Sequence, residues 1–291
     1  MARPSSLVLA GVVAAGLSSA AQAADLLPPI AEAPHAPVAI GSGWYLRGDV
    51  GVANYETGTW RQPASNNGST IVSSGFIQNE VAGGAVVDLG VGYQFNNWLR
   101  FDVTGEYRSA LALRGTYQET STFLTGLVIN NFAGQNVYNG NLASWAVMFN
   151  GYVDLGTWNC ITPFVGAGVG YAYHRMYGFS DSGYASINGA VFPVAVNLID
   201  EHKTSGLAWS LQAGLAYEVT QNVKLELSYR YINFGDVKSG LIRCGTLSGC
   251  GTVAPGFTVR NLDAQEIRVG MRWLLDAKSY AEAPAPIIRK Y

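Results

Sequence analysis

Hydrophobic and polar residues alternate with a period of two along most of the chain between residues 43 and 275. This is the period of a β-strand, in which successive side chains point to opposite faces. The pattern predicts eight strands, at 43–53, 84–95, 98–114, 143–155, 161–173, 206–219, 223–234 and 264–275. Most of these segments have 11 to 14 residues, whereas a strand of a soluble protein has about 5–6. A tilted strand that crosses a membrane needs about 9–11 residues, so the lengths favour membrane-crossing strands.

The connections between the predicted strands alternate between short and long. The short turns lie at 96–97, 156–160 and 220–222. The four long connections, each of 28 to 32 residues, lie at 54–83, 115–142, 174–205 and 235–263. Tight turns within them are predicted at Asn67-Gly68, Asn139-Gly140 and Asn188-Gly189. Short turns that alternate with long outer loops are the layout of a transmembrane β-barrel. The predicted fold over 43–275 is therefore all-β: an eight-stranded, antiparallel, up-and-down transmembrane β-barrel.

One face of each predicted strand is apolar and the other is polar, and the alternation alone does not say which face points into the barrel. The apolar face carries about five or six mostly large residues per strand, more than the interior of an eight-stranded barrel can hold. The polar face carries glycines such as Gly90, Gly92 and Gly270, which leave room in a narrow lumen. We therefore predict that the polar face lines the lumen and that the apolar face contacts lipid.

The predicted lumen is rich in charge and nearly neutral, because its face carries 7 basic and 8 acidic residues. We expect a paired structural network there, and a gate around a narrow pore is the alternative interpretation. The candidate lumen network consists of Arg47, Asp49, Asp88, Arg100, Asp102, Glu106, Arg108, Glu226, Arg230, Glu266, Arg268 and Arg272. Aromatic residues lie near both ends of the predicted strands, as expected for two interfacial girdles.

Composition excludes several other classes of protein. The 291 residues include only 13% charged residues, and the net charge of -2 gives no electrostatic footprint for nucleic acid. The body of the chain has no run of 18 or more apolar residues, which excludes an α-helical membrane protein there. We predict no cofactor, no metal site and no nucleic-acid partner.

The ends of the chain predict export. Residues 1–23 read as a signal peptide, with an apolar run at 7–17 and an A-x-A cleavage site at 21–23. Residues 24–42 form a Pro-rich segment and residues 276–291 a second extended tail, and we expect both in the periplasm.

Two of the three cysteines lie close together in the last long connection, as Cys244 and Cys250. In the oxidising compartment that an exported protein reaches, we expect these two to form a disulfide. Their spacing lacks the additional Cys or His that a zinc site needs. Cys160 remains as an unpaired thiol in a short turn.

Together these features resemble the opacity-type, OmpA-like outer-membrane barrels of Gram-negative bacteria. The resemblance rests on the signal peptide, the mature start at Ala24, the segment GWYLRGDVG at 43–51 and the eight strands. The segment PFVGAGVGY at 163–171 is similar to the fifth strand of that family. The resemblance implies an outer-membrane location and contact with outer-membrane lipid, including lipopolysaccharide.

The last predicted strand resembles the assembly signal of such proteins, which implies that the outer-membrane assembly machinery is a partner. The residues that carry this likeness are Arg268, Gly270, Trp273 and Leu275. The signal usually ends the chain, whereas a tail of 16 residues follows it here.

The predicted function is non-enzymatic: the barrel supports envelope integrity and presents its long loops to a surface ligand or a host partner. The first alternative is a narrow porin for small solutes. The second is a lipid-modifying outer-membrane enzyme, which needs a nucleophile and an acid that converge on a histidine. The candidate residues for that enzyme are His174, His202, Ser180, Ser182, Ser205, Asp200 and Glu201.

Overall fold

The computed structural model describes residues 43–56, 58–63, 69–243 and 253–275, with the side chains of 193–195 excepted. Several predictions fall outside these residues. They are the signal peptide at 1–23, the segments 24–42 and 276–291, the turn at Asn67-Gly68 and the pairing of Cys244 with Cys250.

The described part of the chain is built from antiparallel strands, which confirms the predicted all-β class. The strands are β1 (Trp44–Glu56), β2 (Trp60–Arg61), β3 (Thr70–Val81), β4 (Gly84–Gln94), β5 (Leu99–Thr125), β6 (Val128–Asp154), β7 (Ile161–Ile187), β8 (Ala190–Ile199), β9 (His202–Glu218), β10 (Val223–Asn233), β11 (Val237–Lys238), β12 (Ile242–Arg243), β13 (Thr258–Val259) and β14 (Asp263–Leu274). Within the described ranges, no helix is long and apolar enough to cross a membrane.

Eight of the strands in the described part of the chain pair in a closed ring. The order around the ring is β1, β4, β5, β6, β7, β9, β10 and β14, and β14 pairs back with β1. Each strand of the ring is therefore hydrogen-bonded on both sides. Closure of this kind satisfies the backbone groups that lipid cannot hydrogen-bond.

Short turns join the strands at one end of the ring, which we call the turn end. The Asn96 Oδ1 atom accepts hydrogen bonds from the backbone nitrogens of Trp98 (2.9 Å) and Leu99 (2.7 Å). The Thr220 Oγ1 atom accepts one from the backbone nitrogen of Val223 (3.0 Å). Asn and Thr side chains favour tight turns because they replace a backbone acceptor in this way.

At the opposite end, three strands continue far beyond the ring. β5, β6 and β7 each have 27 residues, and β3 and β8 pair with their outer halves. This five-stranded sheet, in the order β3, β5, β6, β7, β8, is called the sheet extension below.

The sheet extension corrects the prediction of long loops at 54–83, 115–142 and 174–205, since most of these residues lie in paired strands. Asn139-Gly140 is not a turn. It lies within β6, next to a register shift against β7. The turn at Asn188-Gly189 is confirmed, with positive φ angles of 50° and 86°, and it joins β7 to β8. The hydrophobic pattern did not predict these strands, because they are rich in Asn, Ser, Thr and Gly and lack a strong alternation of apolar residues.

The two faces of the ring are oriented as predicted. Arg100, Arg230 and Arg272 inside the ring are 0% exposed, whereas Leu89 and Leu207 on the outside are 71% and 81% exposed. Glycines leave room inside, since a Cβ atom at Gly270 would collide with the carboxylate of Asp49, and one at Gly92 with the ring of Tyr45.

Aromatic side chains lie near both ends of the ring on its outer face. Near the turn end, the rings of Trp44 and Tyr93 meet at 5.4 Å between centroids. Toward the sheet extension, the stacked rings of Trp145 and Tyr173 lie 5.3 Å apart. Aromatic rings of this kind settle at the boundary between lipid and water, so the two sets mark the expected ends of the lipid-facing wall.

Candidate functional site

The candidate site is the lumen, where the charged side chains form two clusters. The turn-end cluster comprises Arg47, Asp49, Arg100, Asp102, Asp154, Glu226 and Arg272, which are contributed by β1, β5, β6, β10 and β14. The mid-lumen cluster comprises Asp88, Glu106, Arg108, Arg230, Glu266 and Arg268, which are contributed by β4, β5, β10 and β14. Residues two apart on one strand share a face, so a few strands place all these groups in one narrow space.

In the turn-end cluster, three arginines face four carboxylates. The Arg47 guanidinium donates to Asp49 (2.9 Å) and to Asp102 (2.9 Å). The Nε atom of Arg272 lies 3.0 Å from Glu226 Oε1, and an Nη atom of Arg100 lies 3.4 Å from the same oxygen. One carboxylate thus links arginines from two strands.

Neutral polar residues complete the turn-end cluster, although the sequence analysis did not single them out. Asn150 donates to Asp102 (2.8 Å), and the Tyr45 hydroxyl donates to the same carboxylate (3.0 Å). The Arg100 guanidinium lies 3.9 Å from the centroid of the Tyr152 ring. The sequence could have indicated part of this arrangement. Asn150 and Tyr152 lie four and two residues before Asp154 in β6, so the three side chains share one face of the strand.

In the mid-lumen cluster, three arginines face three carboxylates. Glu106 accepts two hydrogen bonds from Arg230 (2.6 and 2.7 Å) and one from Arg108 (2.9 Å). Glu266 binds the same two arginines, Arg108 at 2.9 Å and Arg230 at 2.8 Å. Arg268 contacts Asp88. The two glutamates and two arginines therefore form a four-membered ring of charge-assisted hydrogen bonds, the stronger class of protein hydrogen bond.

Aromatic rings close the lumen beyond the mid-lumen cluster. We call this group the aromatic plug, and it consists of Trp60, Phe76, Tyr117, Tyr138, Phe179 and Phe257. Phe257 is central: its ring stacks on Trp60 with 5.0 Å between centroids and meets Tyr138 at 5.3 Å. The plug includes residues from predicted loops, and the sequence analysis did not anticipate that Trp60 and Phe257 pack against the inner face of the sheet extension.

The two clusters and the plug leave the lumen filled at successive levels. Every charged residue of the two clusters is at most 6% exposed, and Phe257 is 1% exposed. A buried charge is tolerated only where it is paired and hydrogen-bonded. The arrangement is that of a packed interior, in which each charge has an opposite charge beside it.

The candidate residues of the alternative enzymatic interpretation do not converge. His174 is buried, and its Nδ1 atom lies 2.7 Å from Ser144 Oγ, a serine that the sequence analysis did not single out. Its ring also packs edge-on against Phe234, with 5.3 Å between centroids. His202 is exposed at the start of β9, and Ser205 pairs with the Tyr171 hydroxyl at 2.8 Å.

The candidate acids of that enzyme are engaged elsewhere. Asp200 accepts from Arg243 (2.6 Å), and Glu201 accepts from Arg175 (2.5 Å). Ser180 and Ser182 lie farther along β7, in register with Asn139 and Val137 of β6. No cluster of His, Cys, Asp or Glu suited to a metal ion occurs among the residues that the structure describes.

The residues of the candidate assembly signal lie in β14 and directly after it, on both faces of the barrel wall. Arg268 points into the lumen and Gly270 lies against Asp49, while Trp273 and Leu275 are exposed on the outer face. Their role in assembly stays a prediction. Cys160 is an exposed free thiol at the turn end.

A buried carboxylate, Asp181, lies in the sheet extension. It accepts hydrogen bonds from the side-chain amides of Asn197 (3.1 Å) and Asn136 (3.4 Å). Burial disfavours the charged form and raises the pKa of Asp181 to about 6. Because the folded-state pKa exceeds the ordinary value, the contribution of Asp181 to stability is fully present below about pH 4 and is lost as the pH rises toward 6.

We expect Asp181→Asn to remove this pH dependence. Wild-type stability of the sheet extension should fall by up to about 3 kcal/mol between pH 4 and pH 6, whereas the variant should stay level. Hydrogen exchange of the β7 and β8 amides from pH 4 to pH 7, corrected for intrinsic exchange rates, measures this. Glu80→Gln removes an exposed carboxylate of β3 and should behave as wild type. A wild-type profile without the fall would contradict the prediction.

Comparison with known proteins gives one family and several relatives. Residues 10–271 match the outer membrane protein beta-barrel domain family. An uncharacterized protein of Brucella abortus is 32% identical over 226 residues, which cover 74% of this chain and 76% of that protein. A protein of Rickettsia prowazekii that is named as a candidate adhesin is 28% identical over 200 residues, which cover 69% of this chain and 76% of that protein.

Two solved structures are also similar. Neisserial surface protein A is 18% identical, with a TM-score of 0.41, and the match covers 80% of this chain and 97% of that one. The outer membrane protein OprG of Pseudomonas aeruginosa is 12% identical, with a TM-score of 0.40, and the match covers 80% and 96%.

Proposed function

The chain belongs to the outer membrane protein beta-barrel domain family, and we propose that it acts there as a closed, non-enzymatic barrel that attaches the cell to a surface partner. Its location is the bacterial outer membrane. The same proposal includes support for envelope integrity. The proposal for attachment rests on one observation, the sheet extension and the apolar side chains at its end.

We infer that the sheet extension lies outside the cell. Barrels of this type keep short turns in the periplasm and long connections on the outer side. Tyr107 of β5 pairs with Trp145 of β6, one of the aromatic residues toward the sheet extension. From Tyr107, β5 continues for 18 more residues to Thr125, which corresponds to about 60 Å of strand. A structure of this length carries its end well beyond the lipid headgroups.

The end of the sheet extension is apolar. Two adjacent hairpin tips are joined there by Asn188, whose Nδ2 atom donates to Asn130 Oδ1 at 2.9 Å. The exposed apolar side chains at these tips, the tip cluster, are Leu124, Leu127, Val128, Ile129 and Val191, which are 61 to 101% exposed. A group of apolar side chains on an aqueous surface marks a site that a partner covers. The relative named as a candidate adhesin is consistent with such a role.

The test is attachment by whole cells that display the protein. The variant Leu124→Ser, Leu127→Ser, Ile129→Ser should reduce attachment to host-cell or surface preparations by about tenfold or more, because it removes three apolar side chains that a bound partner would bury. The control Val72→Ser, Ile77→Ser changes exposed apolar residues of β3 and should attach as wild type. Equal attachment by the tip variant and the wild type would reject the proposal.

Neither alternative from the sequence is proposed, because the lumen is filled and the candidate catalytic groups are apart. The refolded chain in a planar bilayer should therefore give no discrete channel steps. Regular single-channel steps that persist in purified preparations would instead favour the narrow porin.

A further inference from the structure

The outer face of the sheet extension carries two amides and an exposed aromatic ring in one row. Gln118 of β5, Gln135 of β6 and Tyr184 of β7 are in register, and we call them the amide–tyrosine row. Gln135 Oε1 accepts hydrogen bonds from Gln118 Nε2 (3.1 Å) and from the Tyr184 hydroxyl (2.9 Å). Tyr184 is 46% exposed. These bonds hold two planar amides beside a ring that solvent reaches.

Short side chains surround the amide–tyrosine row. The outward-facing residues of the two neighbouring rows are Thr116, Val137 and Ser182 toward the membrane, and Thr120, Ala133 and Ser186 toward the tips. Side chains stand roughly perpendicular to a sheet, so these short residues leave the longer Gln and Tyr side chains accessible from both sides. The row is therefore open to a ligand that lies flat across three strands, a width of about 10 Å.

This face carries no formal charge. Along β5 from Thr116 to Leu124, and over the stretches of β6 and β7 that pair with it, no outward-facing residue is acidic or basic. The carboxylates of this part of the sheet, Glu119 and Asp181, lie on the inner face. A charged partner would lose hydration here without gaining an opposite charge, so the face selects for an uncharged one.

The two amides also have hydrogen-bonding capacity to spare. Each amide group offers two N–H donors. Gln118 uses one donor on Gln135, and the amide nitrogen of Gln135 donates to no other residue in the described part of the chain. Neighbouring donors and acceptors of this kind match the hydroxyl groups of a sugar. The Tyr184 ring, whose face is electron-rich, suits the C–H side of the same sugar.

From these features we propose that the amide–tyrosine row binds an uncharged glycan chain displayed by another cell. The inference rests on the orientation in the proposed function and names the chemistry of a partner for it. Gln118 lies 11 residues beyond Tyr107 along β5, about 36 Å past the aromatic boundary, where a chain from an opposing surface reaches it. Tyrosine among small polar residues is also the composition with which antibody loops bind their ligands, since the ring gives contact area at low entropic cost.

The experiment measures glycan binding by the refolded full chain with isothermal titration calorimetry, in a zwitterionic detergent that has no sugar headgroup. The probes are the uncharged oligosaccharides cellohexaose, maltohexaose and mannohexaose, and the same compounds after oxidation of their primary hydroxyl groups to carboxylates. Wild type should bind at least one uncharged probe saturably, and its oxidised form about tenfold more weakly.

Substitutions within the row separate the ring from the amides. Tyr184→Ala should weaken binding by about tenfold, because the stacking surface is lost. Tyr184→Phe keeps the ring and loses one hydrogen bond to Gln135, so its affinity should stay within about threefold of wild type. Gln135→Leu should weaken binding by about fivefold. The matched control Gln221→Leu changes an exposed amide at the turn end and should bind as wild type. A heat-dependent shift in gel mobility confirms that each variant is folded.

The absence of saturable binding for every uncharged probe, equal binding of the oxidised forms, or unchanged affinity in Tyr184→Ala would overturn the proposal. Tighter binding of the polysaccharide purified from the lipopolysaccharide of the producing cell would also overturn it, because the ligand would then belong to the same surface as the protein.

The tip cluster is tested separately from this site. The variant Leu124→Ser, Leu127→Ser, Ile129→Ser should keep the glycan affinity of wild type, because these side chains lie beyond the amide–tyrosine row. Reduced attachment by that variant, together with no glycan binding by wild type, would reject the glycan site alone. Glycan binding by wild type, together with equal attachment by the tip variant, would reject the proposed function and retain the glycan site.

Discussion

Glu106→Leu should destabilise the barrel by about 3–5 kcal/mol, because removal of one partner leaves buried charges without compensation. Glu106 holds Arg230 through two hydrogen bonds and Arg108 through a third. After the substitution these two arginines share Glu266 alone, and the mid-lumen cluster changes from neutral to positive. Urea unfolding of the refolded chain in lipid vesicles, followed by tryptophan fluorescence, measures the loss.

The double variant Glu106→Leu, Arg230→Met separates charge imbalance from loss of packing. It restores neutrality with apolar groups of similar size, and we expect it to recover at least half of the lost stability. Arg243→Met removes an exposed ion pair and should leave the unfolding midpoint unchanged. The contradicting outcome is a double variant that is less stable than Glu106→Leu by as much as Arg230→Met alone destabilises the wild type. The two residues would then not be coupled, and the account of the mid-lumen cluster would be wrong.

Phe257→Ala should open the aromatic plug while the ring of strands stays intact. Phe257 is 1% exposed and contacts Trp60, Phe76, Tyr138 and Phe179, so truncation should cost about 3–5 kcal/mol. The loss is confined to the segments that cover the lumen, since the plug lies outside the lipid-facing wall. Limited proteolysis should cut residues 236–262 in the variant much faster than in wild type, with the gel shift on heating retained.

Tyr184→Ala is the matched control for the plug, because Tyr184 is an exposed aromatic residue of the same sheet extension. It should leave the cleavage rate near that of wild type. Loss of the heat-dependent gel shift in Phe257→Ala would contradict the separation between the plug and the barrel. The charged clusters below remain in place in this variant, so we expect no channel steps from it.

The sequence was sufficient for the barrel because the lipid-facing wall enforces alternation along its strands. Leu225, Leu227 and Tyr229 of β10 face out, and Glu226 and Arg230 face in. The strand ends at the short turns could also be predicted, since Asn96 and Thr220 form turns through local hydrogen bonds. Both signals depend on residues that are close together in the chain.

The sheet extension and the plug depend on contacts between distant residues, and the sequence does not encode them locally. Thr116 of β5 pairs with Val137 of β6 in a stretch with little apolar alternation. Phe257 packs against Trp60 from almost 200 positions away in the chain. The partners within the lumen network could not be predicted from the sequence either. Alternation indicates which face of β5 carries Glu106, but not which arginines bind it.

The three 27-residue strands also determine how the protein would respond to mechanical load. β5, β6 and β7 pass from the lipid-facing wall to the tip cluster without a break in the chain trace. A pull at the tips acts along the strands, and the cross-strand hydrogen bonds are perpendicular to that direction. Such bonds are loaded in shear and must fail together rather than one after another. The sheet extension would therefore work as a stiff tether, and the membrane-embedded barrel would be its anchor.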